Sequence, residues 1–185
     1  MKKYELVKED SIQLEKVTLY RIKAIRDFYN VKVGDLGGYI EKEENLSHDG
    51  QAWVYGNARV YVNAWVSGDA NVSGDANVSG NAWVYGNTNV SGNAWVSGNA
   101  ILYSNDDFSV ISGFGSENRT TTFTHDKDWN IFVKCGCFYG TLKEFRKKVK
   151  ETHKDHFFAK EYLMIADLIE ERFKNRRQVI NCNES

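Results

Sequence analysis

The chain has 185 residues, enough for one large domain or two small ones. Its 24 Lys and Arg nearly balance its 25 Asp and Glu, which gives a net charge of −1. This balance argues against a role in binding the phosphate backbone of nucleic acids, which requires a surplus of basic residues. With 42% hydrophobic and 14% aromatic residues, the composition is typical of a folded chain. The 3 Cys are too few for a disulfide framework, so we expect reduced thiols.

The start of the chain and its hydropathy predict a protein that is neither exported nor inserted in a membrane. The charged residues between Met1 and Asp10 lack the apolar run of a signal peptide. No stretch approaches the roughly 18 apolar residues of a membrane-spanning helix. We therefore expect a soluble, cytoplasmic protein.

Short strands are predicted in the N-terminal segment, residues 1–37. Residues 4–8 and 18–24 are the first two candidates, because they are rich in aliphatic and aromatic side chains. Residues 31–40 follow as a strand on either side of a glycine turn.

A six-residue repeat runs from Gly50 to Ser104 and has three columns. The aliphatic column is Val54, Val60, Val66, Val72, Val78, Val84, Val90, Val96 and Leu102. The small column is Ala52, Ala58, Ala64, Ala70, Ala76, Ala82, Ala94 and Ala100, with Thr88 in the remaining place. The glycine column is Gly50, Gly56, Gly68, Gly74, Gly80, Gly86, Gly92 and Gly98, with Val62 and Ser104 as its departures.

This repeat predicts short strands separated by sharp corners. Val is β-branched and suits a buried, pleated surface, so the aliphatic column is expected to fill the interior, with the small column beside it. Glycine tolerates the positive φ that a sharp corner requires. We extend the register upstream over residues 38–49 as two degenerate hexads, with Ile40 and Leu46 in the small column.

The pattern resembles the hexapeptide repeat of left-handed parallel β-helices, in which three hexads make one triangular coil. The resemblance implies a mainly β fold, with a left-handed parallel β-helix of about three to four coils over residues 38–104. Residues 1–37 are expected to form a β-rich cap, because the end of a coil is an exposed sheet edge. Residues 105–185 are expected to form a small α+β region with two helices.

The register also assigns side chains to three outer faces, because residues three hexads apart stack on one another. Four of the five Trp are expected to point outward, and one face collects five large side chains: Trp65, Trp83, Tyr85, Ile101 and Tyr103. Such an exposed aromatic patch usually marks an interface. Three interpretations stay open, because a terminal segment of this chain, a second copy or another protein could cover it.

Beyond the repeat, a hairpin and two helices are predicted. Strands at residues 120–124 and 129–133 are joined by a turn at residues 126–128. Thr141 and Glu144 form a capping box that starts the first helix. The second helix is predicted from about residue 158 to residue 174, because apolar residues recur there at helical spacing. These residues are Tyr162, Ile165, Ile169 and Phe173.

Many hexapeptide-repeat proteins are acyltransferases, and the resemblance makes acyl transfer from an acyl-CoA one alternative. Such enzymes use a His on the coils as general base, which must lie within hydrogen-bond reach of the acceptor. The repeat itself contains no His, so His48 at its start and His125 beyond it are the two candidates. We otherwise expect no catalytic residue and no cofactor.

Two further groups are weighed as ligand sites. Arg119, Thr120 and Thr121 follow a glycine turn, and a guanidinium beside hydroxyls is suited to a phosphate or carboxylate. The alternative is a polar strand edge. Cys135 and Cys137 are closer together than zinc ligands usually are, so we expect free thiols and no metal.

Segments outside the repeat resemble uncharacterised proteins of bacteriophages and low-GC Gram-positive bacteria. They include residues 19–24, 34–39, 121–123, 135–138 and 140–142. The resemblance implies a phage or prophage origin and the cytoplasm of a bacterial host, and it assigns no activity.

The leading hypothesis is a non-enzymatic binding protein, an inhibitor of a host defence system that binds a protein or a small ligand. A self-assembling structural protein is a further alternative. We expect a homo-oligomer, with a protein partner or self-association through the aromatic patch, and no nucleic-acid or membrane partner.

Overall fold

The computed structural model describes residues 1–14 and 16–183, and the chain divides into two compact units. The first unit runs from Met1 to Asn105, and the second begins at Asp106. No helix among the described residues combines the length and the apolar character needed to cross a membrane.

An antiparallel hairpin opens the first unit. β1 (Tyr4–Leu14) pairs with β2 (Val17–Ala24), and β2 pairs with β3 (Leu36–Ile40). The strands predicted at residues 4–8 and 18–24 are therefore confirmed, and both are longer than predicted. The strand predicted before the glycine turn is wrong: the described residues 31–33 form no strand, and Val31 makes a single bridge to Phe28.

Two-residue strands follow at six-residue intervals. In the described chain they are β4 (Trp53–Val54), β5 (Arg59–Val60), β6 (Trp65–Val66), β7 (Asn71–Val72), β8 (Asn77–Val78), β9 (Trp83–Val84), β10 (Asn89–Val90), β11 (Trp95–Val96) and β12 (Ile101–Leu102). Each strand from β4 to β9 pairs in parallel with the strand three places later, and β3 pairs in parallel with β5. This pairing gives two three-stranded sheets, β4-β7-β10 and β6-β9-β12, and a six-stranded sheet in the order β1-β2-β3-β5-β8-β11. The result is a mainly β fold, a β-solenoid of about four turns.

The two predicted columns fill the interior of the solenoid. Every Val of the aliphatic column and every Ala of the small column is at most 1% exposed. Burial of one Val side chain stabilises the fold by about 1.5–3 kcal/mol. Thr88 occupies an Ala position without leaving its hydroxyl unpaired, because the hydroxyl donates to the Tyr85 carbonyl at 2.7 Å.

The register predicted for residues 38–49 is wrong by two positions. Ile40 pairs with Val60 and Leu46 bridges Val66, so both lie in the aliphatic column rather than the small one. The reason is the segment between Leu46 and Val54, which is two residues longer than the standard hexad. Lys3, near the N-terminus of the chain, forms hydrogen bonds with residues of this longer corner.

The second unit is a four-stranded antiparallel sheet with two helices. Its strands lie in chain order: β13 (Phe108–Ile111), β14 (Thr121–His125), β15 (Ile131–Cys135) and β16 (Phe138–Thr141). The predicted hairpin β14–β15 is confirmed, whereas β13 and β16 were not predicted.

The two predicted helices are α1 (Leu142–His153) and α2 (Phe157–Asn183). α1 begins at the predicted capping box, where the Thr141 hydroxyl accepts the Glu144 N–H at 3.3 Å. α2 continues beyond the predicted end near residue 174, because no Gly or Pro interrupts it.

Aromatic contacts join the helices of the second unit to its sheet. The Phe123 ring of β14 meets Phe145 of α1 at a centroid distance of 6.3 Å, and Phe145 meets Tyr162 of α2 at 5.8 Å. Tyr162, Ile169 and Phe173 are buried as predicted, and Ile165 is partly buried.

Candidate functional site

The five residues of the predicted aromatic patch lie together on the outer side of β6, β9 and β12. The Trp65 and Trp83 rings meet edge to face with centroids 5.9 Å apart, and the Tyr85 and Tyr103 centroids are 3.9 Å apart. Ile101 lies beside Trp83 in the parallel register. We call these five residues the aromatic face.

The aromatic face is substantially exposed. The exposed fraction is 39% for Trp65, 48% for Trp83 and 54% for Tyr103. Edge-to-face pairs on a rigid sheet hold their rings in place, each pair contributing about 0.5–1.5 kcal/mol beyond simple burial. The face therefore presents a preformed apolar surface.

A neighbouring face of the solenoid shows what happens when this chain covers an outward Trp. Trp53 lies in the β4-β7-β10 sheet and is only 1% exposed, because Tyr4 and Phe28 pack on it at centroid distances of 6.0 and 5.3 Å. The expectation that Trp53 reaches solvent is therefore wrong. The N-terminal segment covers Trp53 and not the aromatic face.

His48, one candidate base, anchors the N-terminus. Its Nδ1 accepts the backbone N–H of Lys3 at 3.3 Å, and its ring lies on Tyr4 with centroids 4.3 Å apart. Its Nε2 lies 3.5 Å from the Glu43 carboxylate. Both ring nitrogens are therefore engaged in local contacts.

Lys3 and Tyr4 form a buried polar anchor that sequence reasoning missed. The Lys3 ammonium, which is shielded from solvent, donates to the carbonyl of Ala52 at 2.7 Å. Desolvation, with help from the nearby Arg26, lowers the pKa of Lys3 to about 8. Desolvation followed by the Glu43 carboxylate raises the pKa of the Tyr4 phenol. A Lys in a charged N-terminal run gives no sequence signal of burial.

His125, the other candidate base, belongs to the core of the second unit. It is 4% exposed, and its ring stacks on Trp129 with centroids 4.1 Å apart. Its Nε2 lies 3.8 Å from the buried carboxylate of Asp107, which accepts the Arg176 Nε–H at 3.0 Å. This arrangement fixes α2 to the sheet and leaves His125 away from solvent.

Arg119 lies at a cleft of about 280 Å³ within the second unit. Its guanidinium rests on Gly136, where φ is +57° and a Cβ would collide with it. Phe138, Phe145 and Val149 form the apolar part of the wall. Lys148 and His153 of α1 and Tyr162 of α2 add cationic and polar groups.

The other two residues predicted with Arg119 lie apart from this cleft. Thr121 is fully buried in β14, and the Thr120 hydroxyl lies 2.8 Å from that of Ser112. Lys148 and His153 line the cleft in their place. No sequence signal pointed to Lys148, because a Lys on a predicted helix is usually solvated.

No disulfide joins the cysteines within residues 1–14 and 16–183. Cys135 lines the Arg119 cleft, and Cys137 and Cys182 are exposed. Within residues 1–14 and 16–183, no group of His, Cys, Asp or Glu is arranged to hold a metal ion.

Comparison with known families supports the solenoid. Residues 52–68 match the model of the YdcK β-solenoid repeat, a stretch that covers one turn from β4 to β6. The match agrees with the β-solenoid that the structure shows in this part of the chain. A search of curated proteins gives no match.

Proposed function

We propose that this chain is a non-enzymatic binding protein whose aromatic face contacts a protein partner. The observation that carries the proposal is the exposure of Trp83 and Tyr103 on a solenoid whose own N-terminal segment covers Trp53 instead. Rigid Trp and Tyr side chains lose little conformational entropy on binding and dominate the energetics of protein interfaces.

The chemistry of the aromatic face favours a protein over a nucleic acid. Aromatic platforms that bind bases work beside Lys and Arg that follow the phosphate backbone. The five residues of the aromatic face include no cation. Apolar side chains of another protein are the complementary surface.

Binding is also better supported than acyl transfer. A general base must reach the acceptor group of the substrate. His48 is held by Lys3 and Tyr4, and His125 is stacked on Trp129 inside the second unit. The aromatic face needs neither His.

The resemblance to phage proteins supports a more specific proposal about the partner. We propose that the partner is a protein of the bacterial host and that this chain inhibits a host defence system. A separate resemblance, that of the six-residue repeat to hexapeptide-repeat proteins, supports the left-handed class for the solenoid.

Site-specific photo-crosslinking tests the proposal. The change is Trp83→p-benzoylphenylalanine, with Trp95→p-benzoylphenylalanine as the matched control on the β5-β8-β11 sheet, where Trp95 is 37% exposed. In bacterial lysate we expect position 83 to crosslink one defined protein that position 95 does not. Equal crosslinking from both positions, or none from position 83, would overturn the proposal.

A second candidate function is supported by the Arg119 cleft. Arg119 and Lys148 supply positive charge beside an apolar wall, which is the composition of a small-ligand site. The Glu117 carboxylate also lines the cleft and pairs with Arg119 at 3.5 Å, so an anionic ligand would compete with it for the guanidinium. The ligand that fits is a small organic anion that carries a ring. A phosphate and a carboxylate share this chemistry, because Arg binds both in a bidentate manner.

Calorimetric titration separates these ligand chemistries. The probes are 5′-AMP and indole-3-acetate, and the neutral controls are adenosine and indole-3-acetamide. We expect at least one anion to bind more tightly than its neutral control, and Arg119→Gln to weaken it about tenfold while Lys147→Gln does not. Neutral and charged probes that bind equally, or no binding of either anion, would contradict the candidate.

A further inference from the structure

A groove lies on the outer side of the six-stranded sheet of the first unit. It has a volume of about 400 Å³ and runs between the end of the β1–β2 hairpin and the strands β5, β8 and β11. Leu14 and Val17 form an apolar wall on the hairpin side, and Lys16 of the hairpin turn also lines it. We call it the hairpin groove. Its size is that of a small-ligand site.

Three side chains in one row form the solenoid side of the hairpin groove. Arg59 of β5 pairs with Asn77 of β8, and Asn77 pairs with Trp95 of β11, in parallel register. With neighbouring strands about 4.8 Å apart, Arg59 and Trp95 lie about 9.6 Å from each other. A ligand that contacts both therefore carries an anionic group at one end and an apolar face two strand spacings away.

Arg59 has no compensating anion within the described chain. It forms no ion pair there, and its buried Nε–H has no hydrogen-bond acceptor. By contrast, Arg21 on β2 of the same sheet pairs with Asp10 at 2.8 Å. An unsatisfied buried donor costs free energy, which an oxygen anion bound at the guanidinium would offset.

The charges around the hairpin groove favour an anion. Among residues 1–14 and 16–183, none of the carboxylates lines the groove, whereas Arg59 and Lys16 do. The Glu41 carboxylate accepts the N–H of Val62, a lining residue, at 2.6 Å. Two cations thus outweigh one neighbouring carboxylate that is already engaged.

The other polar groups of the hairpin groove suit hydroxyls better than a second anion. The Asn77 Nδ2 donates to the Asp75 carbonyl at 3.0 Å, which leaves the amide Oδ1 to accept. An acceptor repels a phosphate or carboxylate oxygen and takes a hydrogen bond from a hydroxyl. Tyr61, also in the lining, has a phenol that can donate and accept. A uronic acid combines a carboxylate, several hydroxyls and a C–H face that packs on an indole.

We propose that the hairpin groove binds an acidic oligosaccharide, with a uronate carboxylate at Arg59 and Lys16 and the next sugar ring on Trp95. The separation of Arg59 and Trp95 favours two linked rings over one. The proposal is independent of the aromatic face, which belongs to the β6-β9-β12 sheet.

Calorimetric titration at low salt tests the class of ligand. The probes are digalacturonate and the glucuronate–N-acetylglucosamine disaccharide of hyaluronan, each compared with its neutral methyl ester and with its free uronate monosaccharide. We expect at least one disaccharide acid to bind at least about tenfold more tightly than both of its controls. No binding of either acid, or binding no tighter than that of the ester or the monosaccharide, would overturn the proposal. Tighter binding of 5′-UMP than of both acids would assign the groove to a nucleotide and overturn it as well.

Variants test whether the disaccharide lies in the hairpin groove. Arg59→Gln and Trp95→Ala are each expected to weaken its binding about tenfold, and Lys16→Gln by less, because that side chain is exposed. The matched controls are Lys23→Gln, an exposed Lys of β2 outside the groove, and Trp83→Ala of the aromatic face, and both should bind as the wild type does. Circular dichroism checks that Arg59→Gln folds; if it does not, Trp95→Ala and Lys16→Gln decide. Wild-type affinity in Trp95→Ala and Lys16→Gln, or equal losses in the controls, would overturn the proposal.

Discussion

Lys3 shows how one buried charge ties the N-terminus to the solenoid. Its ammonium donates to the carbonyls of Ala52 and Gly50, which belong to the corner that is two residues longer than the standard hexad. Burial removes water from the ammonium and the Arg26 guanidinium lies nearby, so the charged form of Lys3 is disfavoured. The pKa near 8 is the physical consequence.

The stability of the fold should therefore depend on pH through Lys3. Its pKa is about 8 in the folded chain and about 10.4 in an unfolded one. Between these values the unfolded chain binds more protons, so the free energy of unfolding rises with pH. We expect Lys3→Met to be destabilising by about 1–3 kcal/mol at the upper end of this window and by less near neutral pH. Chemical denaturation at several pH values measures this difference.

The Tyr4 phenol does not disturb this comparison. Its raised pKa lowers stability as pH rises above about 10, where an unfolded Tyr ionises. That effect is present in both the wild type and Lys3→Met and cancels in their difference. A difference that stays constant across the window would show that Lys3 is not the titrating group.

At the scale of the element, the corners of the solenoid offer a matched pair of glycines. Gly80 and Gly92 have φ of +69° and +64°. A Cβ on Gly80 would lie 2.8 Å from the backbone nitrogen of Gly98, whereas a Cβ on Gly92 meets nothing within 4 Å. The two positions share backbone strain and differ in stacking.

We expect Gly92→Ala to be destabilising by about 1–2 kcal/mol, the cost of left-handed backbone for an L-residue. Gly80→Ala should be destabilising by clearly more, because the next turn of the solenoid must also move. Thermal unfolding of the two variants measures both effects. Equal destabilisation would contradict close backbone stacking of the turns.

The repeat made the solenoid predictable, because one residue type per position specifies interior, corner and surface at every hexad. Residues 38–49 show the limit: Ile40 and Leu46 were placed in the wrong column, since a two-residue insertion in a corner leaves no mark in a degenerate sequence. α2 was predicted too short for a related reason. The buried residues of this helix end at Phe173, and the residues that follow show no periodic pattern from which a helix could be predicted.

The sites were predictable only where they follow the repeat. The aromatic face assembles as expected, because parallel register places Trp65, Trp83 and Ile101 in one row. The cover over Trp53 and the helical wall of the Arg119 cleft were not predictable. Both depend on the packing of segments that are distant in sequence, and no sequence repeat predicts that packing.

At the scale of the whole molecule, two Trp that are equivalent in the repeat differ in burial, because the N-terminal segment covers Trp53 and leaves Trp83 exposed. We expect Trp53→Ala to be destabilising by about 3–5 kcal/mol, because the indole is fully packed under the N-terminal segment. Trp83→Ala should cost about 1 kcal/mol or less, since nearly half of the side chain is exposed. Denaturant unfolding of both variants checks this. Equal losses would mean that Trp83 is a core residue.

The affinity of Trp83→Ala for the protein crosslinked at position 83 shows whether the aromatic face binds that protein. Trp95→Ala is the matched control, and calorimetry with purified proteins is the measurement. We expect at least a tenfold loss of affinity for Trp83→Ala, about 1.4 kcal/mol, with wild-type affinity for Trp95→Ala. Wild-type affinity in Trp83→Ala, or the same loss in both variants, would contradict the aromatic face as the binding surface.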